Sequence, residues 1–189
     1  MLKRRDDPYF LVVGMTGVKL GDRIAQIGCA DGGRLAAVAA KVGLSGRAVA
    51  IVPDASAAEL ARKGAEQLGV LVEMEVAPPA ALPLEDGSID LAVVDDTGDI
   101  LGQMSAEQRA ASVRELARVL RPGGRVILFG SVPRDGLAKL LAPGPARRSF
   151  AATTDANQTL AANGFGIVRT LAERDGLVFV EGIKPRAKS

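Results

Sequence analysis

The sequence predicts an α/β fold, a mostly parallel sheet covered on both faces by helices. Three observations carry this. Strand-like apolar runs alternate with capped helical stretches along the chain. The runs RAVAIV (47–52) and IDLAVV (89–94) are nearly continuous in apolar residues, as strands covered on both faces are. The ten residues Ile24 to Gly33, IAQIGCADGG, read as a buried strand that ends in a glycine-rich turn, with a helix beginning directly after it. Glycine lets the backbone come close to a ligand, and the helix N-terminus offers unpaired N–H groups and a partial positive charge.

Composition narrows the class. A chain of 189 residues suits one domain with a full core, here taken as 1–189 with an N-terminal arm or lid (1–17) and a core (18–185). Aromatic residues are only 3% of the chain, so the core must be aliphatic. Between residues 8 and 183 there are 18 Lys and Arg against 20 Asp and Glu, so the body is near neutral and no basic stripe points to nucleic acid. The lone cysteine, Cys29, excludes an intrachain disulfide and reads as a small packing residue. The chain has no histidine, which excludes a His general base, a Ser-His-Asp triad and a His-ligated metal. The apolar run Phe10 to Val13 follows Asp6, Asp7 and Pro8; it is a poor signal peptide and too short to span a membrane, so a cytoplasmic location is expected.

The elements follow in order. Phe10 to Val18 is a short helix or an extended arm over a site. Arg23 to Gly28 is the first strand, and Arg34 to Val42 the first helix, stopped by Gly43. Arg47 to Val52 is the second strand; Asp54 or Ser56 caps a second helix to Leu68. Val70 to Val76 is the third strand, Ala77 to Ala81 a Pro/Ala loop, and Ile89 to Val94 the fourth strand. Ser105 with Gln108 three residues on has capping-box spacing for a long helix to Leu120. Arg121-Pro122-Gly123-Gly124 stops it, and Arg125 to Phe129 is the fifth strand. Residues 131–152 are irregular, with a short helix at Leu137 to Leu141. Thr154 or Asp155 starts a last helix to Ala162, and Phe165 to Thr170 with Leu177 to Gly182 form a closing strand pair. Ligands in such sheets bind outside the carboxyl ends of the strands, where the glycine turn sits.

Three further stretches carry a resemblance. PLEDGSIDLAVVDD (83–96), VRELARVLRPGGRVILFG (113–130) and ANGFGIVRTLAERDGLVFVEGIKP (162–185), taken with the glycine turn, resemble class I S-adenosylmethionine-dependent methyltransferases of the small, ubiquinone-biosynthesis-like group over residues 18–185. The helix, Pro-Gly-Gly turn and strand of 113–130 are the most specific part. The resemblance implies a Rossmann-like seven-stranded sheet with its last strand antiparallel, S-adenosylmethionine as cofactor and methyl transfer to a small-molecule acceptor. It requires no histidine or metal.

Residue by residue, the resemblance also marks departures. The family's first motif has an acid at the end of the first strand and then Gly-x-Gly-x-Gly; the aligned residues here are Gln26, Gly28, Ala30 and Gly32. Gln26 can hydrogen-bond but brings no charge to a ligand ammonium. Ala30 costs roughly 1 kcal/mol or more if its position needs positive φ. Asp31 either caps the first helix or touches the ligand. Val52 stands where the family ends its second strand with an acid for both ribose hydroxyls; Asp54, two residues later, substitutes only if the turn is rebuilt. Pro78 stands where an Asp commonly meets the adenine amine. Each lost hydrogen bond to a ligand costs about 1–3 kcal/mol, and two such losses shift affinity by about 10²-fold or more.

Asp95 and Asp96 fall where the family presents acceptor-facing residues. Either they are solvated loop acids, or one orients the substrate or acts as a base, with Thr97 a weaker candidate beside them. Arg147-Arg148, near Phe150, either clamp an acidic acceptor or belong to a solvated loop. Tyr9 and Phe10 either close over the site or pack in the core.

Three functions fit these residues. The first is a methyltransferase on a small molecule; the brevity of 131–152 predicts an open acceptor site or one completed by a second subunit in a homodimer. The second is a degenerate member of the fold that binds cofactor weakly or not at all and acts through protein contacts. The third is a nicotinamide-dinucleotide binder, for which Gly28-x-Ala30-x-x-Gly33 and Asp54 are a distant match.

Overall fold

The computed structural model describes residues 8–30, 32–133 and 148–186. The strands are β1 (Arg23–Ile27), β2 (Arg47–Val52), β3 (Glu73–Val76), β4 (Ile89–Asp95), β5 (Leu120–Ser131), β6 (Ile167–Arg174) and β7 (Leu177–Ile183). They form one sheet in the order β3-β2-β1-β4-β5-β7-β6. Only β7 runs against its neighbours; the other pairings are parallel. The chain winds outward from β1 to β3 and then crosses back to lay β4 on the other side of β1. That reversal opens a crevice at the carboxyl ends of β1 and β4.

The helices are α1 (Phe10–Thr16), α2 (Gly33–Val42), α3 (Ala55–Gln67), α4 (Ala106–Val119) and α5 (Thr154–Ala162), with a 3-10 turn at Phe150–Ala152. Successive strand residues point to opposite faces, so each apolar run feeds two cores. Ile24, Leu91, Val93, Ile127, Phe129 and Phe179 pack against α1 and α2. Ala25, Ile27, Ala92, Val94, Val126 and Leu128 pack against α4 and α5. Alanines and valines line the α2–α3 contact with β2. Among the described residues no helix is long and apolar enough to cross a membrane.

Several boundaries differ from the sequence reading for local reasons. The segment at Phe10 is a helix, closed by Gly17 in the left-handed conformation. It is tied to the sheet by Arg125, which donates to the Thr16 and Gly17 carbonyls and to the buried Glu181. The third strand is only Glu73–Val76, because β2 offers it partners from Val49 to Val52. The helix before the Pro-Gly-Gly turn ends at Val119, and β5 starts immediately at Leu120. The register then jumps from Ile89–Leu120 to Leu91–Arg125. The extra residues form a bulge that accommodates Pro122, which has no N–H to donate. The short helix expected at Leu137 to Leu141 lies outside the described residues.

The loop leading to the site is fastened from below. Arg118 on α4 donates to the carbonyls of Leu82 (2.9 Å) and Leu84 (2.8 Å) and pairs with Glu115. Glu115 in turn accepts from the Leu82 N–H (2.9 Å). The expected capping box is present: Ser105 Oγ accepts from Gln108 N, and Gln108 Oε1 from Ser105 N.

Candidate functional site

The glycine turn after β1 is built as its spacing suggests. Gly28 has φ +74°, and a Cβ there would lie 2.6 Å from the Asp95 carbonyl oxygen, so only glycine lets β4 come this close. Ala30 has φ +44°, a left-handed conformation that an alanine adopts at a cost. Gly32 caps α2 at φ +83°, and a Cβ on Gly64 of α3 would lie 2.6 Å from its carbonyl carbon. The Gly32 position thus serves a close helix crossing as well as the turn. Cys29 is buried, and burial followed by the nearby Asp95 charge pushes its thiol up to about 12, so it is a neutral packing group. Asp31 lies outside the described residues.

Gln26 is fully buried on the α2 side of β1. Its Nε2 donates to the Gly28 carbonyl (3.2 Å), while its Oε1 is buried with no partner. An orphaned buried acceptor beside a glycine turn is suited to a donor such as a ligand ammonium.

Beside the turn lies a cavity of about 240 Å³, walled by Ile51, Val52, Pro53, Ala77, Pro79 and Ile100, with Gln103 the polar side chain among them. Val52 is 1% exposed and clusters with Cys29, Leu35 and Ala58. Asp54 is the N-cap of α3: its Oδ1 accepts from the Ala57 N–H (2.8 Å). Of its two uses considered from the sequence, capping is the one the structure shows. Pro78 is exposed, and its neighbours Ala77 and Pro79, not Pro78 itself, line the cavity. A larger groove of about 560 Å³ lies at the opposite end of the strands, among Val42, Leu44, Ala48, Val70 and Leu71. It lies at the amino ends of β2 and β3, which are not where such sheets take ligands.

Asp95 and Asp96 are not solvated loop acids; they are 2% and 0% exposed. Nor do they face each other, because the pleat sends them to opposite sides of the sheet. Asp95 points toward α2, where its Oδ2 accepts from Arg34 (3.1 Å) and its Oδ1 from the Thr97 hydroxyl (2.5 Å) and N–H (3.1 Å). Arg34 also donates to Thr97 (3.0 Å) and lies 5.8 Å from the centre of the Phe129 ring. Asp96 points to the other face and accepts from the N–H groups of Leu101 (2.9 Å) and Ala151 (2.9 Å). Burial pushes its carboxyl up to about 6, the two backbone donors hold it down, and Asp99 and Asp95 add smaller upward contributions. Asp99 accepts from the adjacent Phe150 N–H (2.9 Å), so two carboxylates pin the 3-10 turn to the end of β4.

Arg34 is the site residue that sequence reasoning missed. A cation in the first turn of a helix opposes the helix dipole, and that mismatch was the available signal of a specific carboxylate partner. Arg148 is exposed and lies 3.6 Å from Glu173; Phe150 is buried under Arg109, so the two do not form an acceptor clamp. Arg147 lies outside the described residues. Tyr9 packs against Gly33 at the start of α2, while Phe10 is exposed.

A doubly wound sheet with only β7 reversed, and a glycine turn beside a cavity at the switch point, define the Rossmann-like methyltransferase class. Comparison with known proteins agrees. A family model described as a methyltransferase domain matches residues 25–128. An uncharacterized 37.1 kDa protein of transposon TN4556 from Streptomyces fradiae is 38% identical over 57% of this chain and 30% of its own length. The ubiquinone/menaquinone biosynthesis C-methyltransferase UbiE of Geotalea uraniireducens is 32% identical over 62% of this chain and 54% of its own. The chain thus spans about a third to a half of these relatives' lengths. A SAM-dependent methyltransferase from Aquifex aeolicus superposes with a TM-score of 0.75 at 20% identity, covering 94% of this chain and 89% of that one. The chain belongs to the class I S-adenosylmethionine-dependent methyltransferase family.

The residues present fit the family's cofactor at its two ends. The glycine turn and the orphaned Gln26 Oε1 suit an amino-acid end, and the apolar cavity suits a purine. At the middle, the described wall brings no carboxylate to a ribose.

Proposed function

We propose that this chain binds S-adenosylmethionine over β1, β2 and β4 and transfers its methyl group to a small-molecule acceptor. The observation that carries this is the Gly28 turn with its buried, unpartnered Gln26 oxygen, set beside an apolar cavity at the switch point. Bound there, the cofactor would supply an electrophilic methyl group: an acceptor electron pair would bond to the methyl carbon as the carbon–sulfur bond breaks, its electrons staying on sulfur as a neutral thioether. Gln26 accepts from the ligand ammonium, and the backbone at Gly28, Ala30 and Gly32 shapes its bed. Val52, Pro53, Ala77, Pro79 and Ile100 exclude water from the adenine. Asp95 is a positioning residue that holds Arg34 and Thr97 in place on the acceptor side. Asp96 fixes the wall formed by Leu101 and Ala151, and its oxygens are committed to that task. Neither carboxylate is offered as a general base, so the acceptor's proton leaves to solvent. The Geotalea relative's name makes a quinone-type ring the first acceptor class to assay.

Titration calorimetry with S-adenosylmethionine and S-adenosylhomocysteine, with NAD as control, tests this. Micromolar binding of either sulfur ligand supports the proposal; absence of binding at millimolar ligand refutes it. A second reading has one observation in its favour, the apolar Val52 with Asp54 committed to a cap. In that reading the fold is retained for protein contact, and the same calorimetry would return no binding.

A further inference from the structure

The end of β2 and the loop facing it decide what the site can recognise of a nucleoside's sugar. Val52 is buried at the strand end among Cys29, Leu35 and Ala58. The first carboxylate beyond it, Asp54, is occupied with the Ala57 N–H at the start of α3. Across the cavity, the Ala77 N–H is bonded to the Val52 carbonyl (3.1 Å), which closes the loop onto the strand with apolar Ala77 and Pro79 facing in. Gln103 is the polar side chain in the wall, and its Nε2 already donates to the Gly98 carbonyl (3.1 Å). Among the described wall residues, therefore, no carboxylate accepts from a vicinal diol.

The consequence is one of selectivity. A site built to bond a hydroxyl rejects the analogue lacking it by about 10⁴-fold or more, because its own polar groups are left buried and unpaired. An apolar wall carries no such group and discriminates by about 10²-fold at most. Resting on the cofactor-binding proposal above, we infer that this site does not read the ribose diol: it takes an adenosyl thioether with or without its 2′-hydroxyl. The specificity-determining residue is Val52.

Calorimetry on the full chain with S-adenosylhomocysteine and its 2′-deoxy counterpart tests this directly. The two ligands are expected to bind within about threefold of each other. Asp54→Asn is expected to leave both affinities within about twofold, because Asp54 serves the helix cap. Val52→Asp is expected to favour the diol-bearing ligand over the deoxy one by about tenfold or more; the wild-type ratio stands by itself if that variant does not fold. Wild-type preference for the hydroxylated ligand of about tenfold or more, the size of one hydrogen bond, overturns the inference alone and leaves the cofactor proposal standing. So does selective loss of that ligand in Asp54→Asn. Binding of neither thioether at millimolar concentration overturns both.

Discussion

Replacing Asp96 by Asn removes a carboxyl that folding holds in an uncharged-favouring place. Asp96 is fully buried, and its carboxyl is pushed from 3.8 up to about 6, chiefly by burial. Asp99 and Asp95 add like charge, while the Leu101 and Ala151 N–H groups oppose the shift. A folded-state value above the unfolded one means that the folded protein binds the proton more tightly. The associated stability is fully present below the unfolded value near 3.8 and is lost as pH rises through about 6. A shift of roughly two units corresponds to about 3 kcal/mol at 1.36 kcal/mol per unit. Urea denaturation from pH 4 to pH 8, run in parallel on wild type and Asp96→Asn, isolates this contribution. The paired carboxylates Asp90, Glu73 and Glu115, held below their ordinary values by arginines, act in the opposite direction at the acid end and are common to both proteins. Relative to the variant, wild type is expected to lose about 2.5 kcal/mol across this range, most of it between pH 4 and 6. Profiles parallel to within about 0.5 kcal/mol would refute the reasoning, and so would a carboxyl carbon shift of Asp96 titrating near 4 by NMR.

Other expected outcomes follow from single contacts. Ala30→Gly relieves a left-handed alanine at φ +44° and should raise the unfolding free energy by about 0.5–1 kcal/mol in the same urea experiment. Gly64→Ala places a methyl 2.6 Å from the Gly32 carbonyl carbon, so α3 must shift; a loss of about 2 kcal/mol or more and weaker S-adenosylhomocysteine binding are expected. Arg34→Met leaves the buried Asp95 carboxylate without its cation and should cost about 2–3 kcal/mol at pH 7, less than a fully buried pair because Arg34 is 26% exposed. Ser105→Ala removes the capping box of α4 and should lower stability by about 1 kcal/mol, with ligand affinity unchanged.

Local order was legible in the sequence because its causes are local. The continuous apolar runs 47–52 and 89–94 became β2 and β4, Ser105 with Gln108 became a capping box, and the glycine turn took the positive φ values that its spacing demanded. Even the cost at Ala30 was visible as a residue in a glycine position. Boundaries shifted where a neighbour intervened: β3 is short because β2 partners it only from Val49, and Leu120 enters β5 at once because β4 is there to bond it.

By itself, then, the sequence determined the order of strands and helices, the aliphatic core and the glycine turn. These depend on periodicity and backbone freedom that each segment carries within it. Tertiary structure alone decided which side chains meet. Asp95 and Asp96 are adjacent in sequence but divided by the sheet, one held by Arg34 from α2 and the other by backbone from Leu101 and Ala151. Gly32 needs to be glycine partly because the α3 backbone crosses it, with the Leu60 carbonyl oxygen 2.7 Å from where its Cβ would lie. Asp54 could have served a ligand or a helix, and the docking of α3 committed it to the helix. Such choices turn on pleat, strand order and helix docking, which place residues far apart in the chain within one hydrogen bond of each other.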